Sequence, residues 1–141
     1  MVSAREILEA EVASSGVLVK ALLTPGSQQI LLQRIAPVHE WVKGTHMTIA
    51  FNPPMERFEQ KYQPIIGQPV ALRVVGQAQD EKGQAVVVEA MSENRIPHIT
   101  ISCASGIGPV YSNQLLAGGY EPLQPFNLEA EVAIEKLDAR P

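Results

Sequence analysis

Thr45-His46-Met47-Thr48-Ile49 and, about fifty residues further on, Pro97-His98-Ile99-Thr100-Ile101 carry the same alternation of polar and apolar side chains. In an extended strand successive side chains point to opposite faces. His46 and Thr48 therefore share one face, while Met47 and Ile49 enter a core. His98 and Thr100 do the same against Ile99 and Ile101. At this composition a histidine is followed by an apolar residue, Ser or Thr, and another apolar residue with a chance of about 0.02. That two of the three histidines do so is an accident on the order of one in a thousand. The repetition predicts two strands that each present an imidazole and a hydroxyl to one cleft. It also predicts a faint internal duplication, one His-Thr strand per half.

Outward from these strands the chain alternates short strands and helices. Val17 to Thr24 reads as a strand interrupted by Lys20. Pro25-Gly26-Ser27 reads as a turn, followed by a short helix around Ile30 to Ile35 that Pro37 closes. The first His-Thr strand runs from Thr45 to Phe51 and stops at Asn52-Pro53-Pro54, and Met55 to Tyr62 suits a helix with Phe58 and Tyr62 on one face. Pro69 to Ala78 and Gln84 to Met91 flank the polar segment Gln79-Asp80-Glu81-Lys82-Gly83, a hairpin pattern, and Val86-Val87-Val88 predicts an arm covered on both sides. His98 to Cys103 is the second His-Thr strand. After a small-residue loop over 104–109 come a helical turn at Ser112 to Leu116 and an alternating strand from Phe126 to Leu137. Upstream, Ala4, Ile7, Leu8 and Val12 have helical spacing behind a Ser3 cap, so residues 1–16 form an expected helical extension. The whole, 1–141, reads as one α+β domain with mainly antiparallel sheet.

Composition narrows the function classes. The 141 residues suffice for one hydrophobic core, and 45% apolar against 18% charged residues describes a globular chain. Eleven Lys and Arg against 15 Asp and Glu give a net charge of −4, which argues against a broad grip on duplex nucleic acid. A nucleotide or a strand end stays open, since one phosphate needs only a local donor cluster. No apolar run approaches the roughly 20 residues of a membrane helix. The single cysteine, Cys103, forms no intrachain disulfide and suits a reducing compartment. The opening Met1 to Leu8 lacks the pattern of a secretory signal, so a cytoplasmic location is expected.

The residue types at the two motifs point to phosphodiester chemistry. One proton must leave the attacking oxygen and another must reach the departing one, and an imidazole with an ordinary pKa of about 6.5 does either. Threonine hydroxyls donate to the non-bridging phosphate oxygens. Two histidines without neighbouring Cys, Asp or Glu at ligand spacing make a poor zinc site, so neither metal nor other cofactor is expected.

At these residues the chain resembles the two-histidine (2H) phosphoesterase superfamily, which includes RNA 2′,3′-cyclic phosphodiesterases and the cyclic phosphodiesterase domain of tRNA ligases. The resemblance spans 17–137, with the two tetrapeptides its diagnostic part. It implies a bilobal, pseudo-symmetric pair of mainly antiparallel sheets with helices outside and the cleft between the lobes. It implies His46 and His98 as the catalytic acid–base pair and Thr48 and Thr100 as phosphate-binding hydroxyls. The implied activity is metal-independent hydrolysis of a cyclic phosphate on a nucleotide or RNA end. Cyclic oligonucleotide signals are an alternative substrate. A non-catalytic nucleotide- or RNA-end-binding module, or an accessory subunit in RNA processing, are alternative roles. The two motifs stand closer together than in many members of the superfamily, which favours a small or terminal substrate. The acid and base assignments and the oligomeric state stay open at this level.

Other residues carry weaker expectations. Lys20 reaches either the phosphate or the strand's solvent side. Ser102 shares the strand parity of His98 and Thr100 and extends their polar row if that alternation persists. Tyr111, with Ser112 and Asn113, marks a helix start or contacts a base. Phe51 is expected in the core, His39 on the surface, and Cys103 as a buried thiol.

Overall fold

A computed structural model describes residues 13–137. The expected N-terminal helix lies outside them except at its last positions, where Ser14 forms an isolated β-bridge with Pro54. Strand β1 (Val17–Leu23) alternates as its sequence requires, with Val19 and Ala21 fully buried and Lys20 turned outward. Helix α1 (Pro25–Arg34) begins where a turn was expected. Thr24 caps it by accepting from the Ser27 amide at 3.2 Å, and Pro25 occupies its first turn, where a missing N–H costs nothing. The segment after the first His-Thr strand starts as α2 (Met55–Arg57). It then widens into a π turn over Phe58–Tyr62 and tightens into a 3-10 turn at Gln63–Ile65, and Phe58 and Tyr62 are buried together.

The remaining strands are β2 (Trp41–Val42), β3 (His46–Phe51), β4 (Pro69–Gln79), β5 (Gly83–Glu89), β6 (His98–Cys103) and β7 (Glu121–Lys136). Every pairing is antiparallel. β3 pairs with β1, β1 with β7, β7 with β4, β4 with β5, and β5 with β6. The single pair Met47–Ile99 joins β6 back to β3, so six strands close into a barrel. Closure satisfies the edge N–H and C=O groups that an open sheet would expose. Each ring strand sends a side chain of 0–1% exposure inward: Val19, Met47, Leu72, Val86, Ile99 and Leu128. The architecture is mixed α+β and mainly antiparallel.

β2 continues toward β3 along the same edge of β6. The amides of Lys43 and Gly44 donate to the carbonyls of Ile101 and Thr100 at 2.7 and 2.8 Å. Gly44 has φ +75°, and an added Cβ would stand 2.9 Å from the Leu32 side chain, so a glycine is needed where the chain bulges into β3. β7 starts five residues earlier than its apolar alternation suggests. Residues 123–125, with Pro125, oppose only Val75 in a wide bulge, where a proline removes no ladder bond. Helix α3 (Tyr111–Ala117) lies against the outer face of β5, burying Leu116 with Ala85 and Val87. That contact covers the arm on its second side.

Candidate functional site

Met47 and Ile99 face each other and both point into the barrel. One step along the antiparallel register in each direction sets His46 opposite Thr100 and Thr48 opposite His98. A local two-fold axis between Met47 and Ile99 therefore relates the two tetrapeptides. Their histidines and threonines alternate with core residues and stand on the barrel's outer face. All four line one pocket of about 420 Å³.

The two imidazoles are held differently. His98 is buried, and its Nδ1 bonds the Ile96 carbonyl at 2.8 Å. A carbonyl only accepts, so Nδ1 carries a proton and Nε2 is the nitrogen left for chemistry. His46 is half-buried, with Nδ1 at 3.0 Å from the Thr45 hydroxyl, a partner able to donate or accept. Desolvation holds the His46 pKa below its ordinary value, helped by the charges of Lys20 and His98 and opposed by Glu135.

The hydroxyls are set by their surroundings. The Thr100 hydroxyl lies 2.8 Å from that of Ser112, a buried residue in the first turn of α3. The Ser92 hydroxyl donates to the Thr48 carbonyl at 2.7 Å, and the Glu93 amide donates to the Ile49 carbonyl at 2.7 Å. These bonds stitch the 91–97 loop to β3 and present Asn94 to the pocket. Arg57 reinforces the loop through both carboxylate oxygens of Glu93, at 3.0 Å each, and the Tyr62 hydroxyl donates to the same group.

Lys20, Ser102 and Tyr111 stand apart from the lining. Lys20 sits beside Thr48 in the β1–β3 register, but its ammonium pairs with Glu135 on β7 at 3.1 Å. Ser102 is fully buried beneath the Ala36–His39 segment. Its hydroxyl donates to Gln84 Oε1 at 2.6 Å and accepts from the His39 amide at 3.2 Å. Strand parity does not reveal which part of a face another segment covers. Tyr111 turns away from the pocket, and its hydroxyl donates to Asp80 in the β4–β5 turn. That bond pushes the phenol up to about 12. His39, expected at the surface, is half-buried and bonds the Asp80 carbonyl through Nε2 at 2.8 Å. Cys103 is buried, which raises its thiol pKa.

The lining adds Lys43, Asn94, Asn113 and Phe51 to the motif residues. Lys43 is the one Lys or Arg in that lining, placed there by the bulge ahead of His46. Phe51, expected in the core, is 69% exposed. The reason is a second bulge: Val19 pairs with Ala50 and Lys20 with Thr48, so Ile49 and Ala50 both turn inward. Phe51 then lands on the face of His46 and Thr48. Gly44 beside Lys43 and Asn52 after Phe51, at φ +47°, are the local sequence signals of these two irregularities.

Among the described residues there is no cluster of three or more His, Cys, Asp or Glu side chains able to hold a metal ion, and no helix long and apolar enough to cross a membrane. No family model matches the chain, and no curated protein matches it.

Proposed function

We propose that the protein hydrolyses a cyclic phosphodiester, the 2′,3′-cyclic phosphate of a nucleotide or an RNA end, by acid–base catalysis between His46 and His98. The observation that carries this reading is the reciprocal placement of His46 against Thr100 and His98 against Thr48 in one pocket. Hydrolysis at phosphorus needs a base on the attacking side and an acid on the leaving side, and two imidazoles related by a local two-fold supply that arrangement. This local symmetry also supports the internal duplication, and with it the two-lobed ancestry that the resemblance implies.

His46 is the base in this reading. Its depressed pKa keeps it neutral near pH 7, so it takes a proton from water as the oxygen–phosphorus bond forms. His98 is the acid. The Ile96 carbonyl favours its doubly protonated form, and Nε2 gives its proton to the ribose oxygen as the second phosphorus–oxygen bond breaks. The products are a phosphomonoester and a free ribose hydroxyl. Thr48 and Thr100 donate to the non-bridging oxygens, and Lys43 offsets their charge. Proton transfer by imidazole requires no metal.

The direct test supplies each nucleoside 2′,3′-cyclic monophosphate in the presence of EDTA and identifies the product. Turnover that survives EDTA and disappears in His46→Ala and His98→Ala supports the hydrolase. Binding without turnover on cyclic monophosphates, RNA ends and cyclic dinucleotides points instead to a binding module.

A further inference from the structure

Val110, at 77% exposure, and Phe51, at 69%, are the two most exposed large apolar side chains among the described residues, and both border the His-Thr pocket. Leaving a phenylalanine in water is unfavourable, and strict alternation along β3 would have buried it. The bulge at Ile49 and Ala50 turns it outward, opposite Leu18 of β1, which also lines the pocket. Val110 belongs to a different element, the loop ahead of α3. Two carboxamides complete this end. Asn94 stands on the loop stitched to β3, and Asn113 on the first turn of α3, where its Nδ2 makes only a long 3.4 Å contact to the Val110 carbonyl.

A flat apolar ring, an aliphatic lip opposite and amides able both to donate and to accept match one ligand chemistry. A nucleobase has a π-face to stack and an edge of mixed donors and acceptors. A purely aliphatic cyclic phosphate would leave the amides unmatched, and a sugar would leave the phenyl ring wet. The lining offers one Lys and no Arg, enough for a single phosphate.

We infer that Phe51, Leu18 and Val110 form a nucleobase subsite beside the two histidines, with Asn94 and Asn113 pairing to the base edge. The substrate is then a nucleoside bearing one cyclic phosphate, free or at a strand end. This inference rests on the hydrolase reading for the phosphate position but concerns the other end of the ligand.

The test compares a nucleoside 2′,3′-cyclic phosphate with glycerol 1,2-cyclic phosphate, which has the ring phosphate and no base. The wild-type protein should favour the nucleotide in kcat/KM by about 5- to 100-fold, the range of one stacked base. Phe51→Ala should raise the nucleotide KM by a similar factor and collapse the preference, and Phe51→Trp should restore it. Equal use of both substrates by the wild-type protein overturns the subsite while leaving the hydrolase intact. If neither substrate turns over, calorimetric titration with a nucleoside 3′-monophosphate and with inorganic phosphate decides. Nucleotide binding that Phe51→Ala abolishes upholds the subsite without the hydrolase. No nucleotide binding, or binding indifferent to Phe51, overturns it.

Discussion

The Nδ1 of His98 donates to the Ile96 carbonyl at 2.8 Å, and the bond spans only two residues, so the chain entering β6 fixes the tautomer of its own histidine. His46, across the Met47–Ile99 pair, has only the Thr45 hydroxyl, which fixes no tautomer. The two imidazoles are equivalent in strand position and unequal in protonation.

Replacing either histidine by alanine should lower kcat by about 10²–10⁴-fold on a cyclic nucleotide. The double variant should fall little further than the worse single one, because the two groups act in one step. Steady-state rates of the three variants measure this, and simple additivity would contradict a shared step.

The pH dependence follows from His46. Its folded pKa lies below 6.5, so between the two values the unfolded chain holds more protons than the native one. The stability it contributes is complete above pH 6.5 and is lost as pH falls through the folded pKa. Activity should show an acid limb with its midpoint under 6.5. Proton NMR should show the His46 ring titrating at that midpoint, and His46→Gln should remove that part of the acid loss of stability in denaturant titrations.

Thr48→Val and Thr100→Val keep the side-chain shape and delete a hydroxyl. Each should cost on the order of 10²-fold in kcat, and the serine variants should recover most of it. Thr100→Val also leaves the buried Ser112 hydroxyl without its 2.8 Å partner, so it alone of the two should lower the melting temperature.

Gln84, 3% exposed, ties the Ala36–His39 segment to the barrel. Its amide donates to the Ala36 carbonyl at 2.9 Å, and its Oε1 accepts from Val38 N at 3.0 Å and from Ser102 at 2.6 Å. Gln84→Ala strands these groups and should destabilise the fold by about 1–3 kcal/mol in urea unfolding, with kcat nearly unchanged because none of them lines the pocket.

Much of the scaffold was legible along the chain. The β4–β5 hairpin, the doubly covered valines and the ends of β3 at Asn52-Pro53-Pro54 follow from turn chemistry and hydrophobic pattern, which act over a few residues. The start of α1 was also written there, in Thr24 followed by Pro25, but the Pro-Gly-Ser turn signal masked it. The early start of β7 was not, since prolines are tolerated in a strand only where its partner bulges.

By itself the sequence determined that His46 shares a face with Thr48 and His98 with Thr100, because side-chain alternation is a property of one extended chain. Only the tertiary structure decided that the two faces meet. The Met47–Ile99 pair sets each histidine against the other strand's threonine, and register belongs to two strands at once. The tertiary structure likewise turned Phe51 outward, brought Lys43 and Asn94 to the rim, and buried Ser102 under a distant loop. Bulges and coverings are fixed by hydrogen bonds between segments far apart in sequence, and no local pattern encodes them.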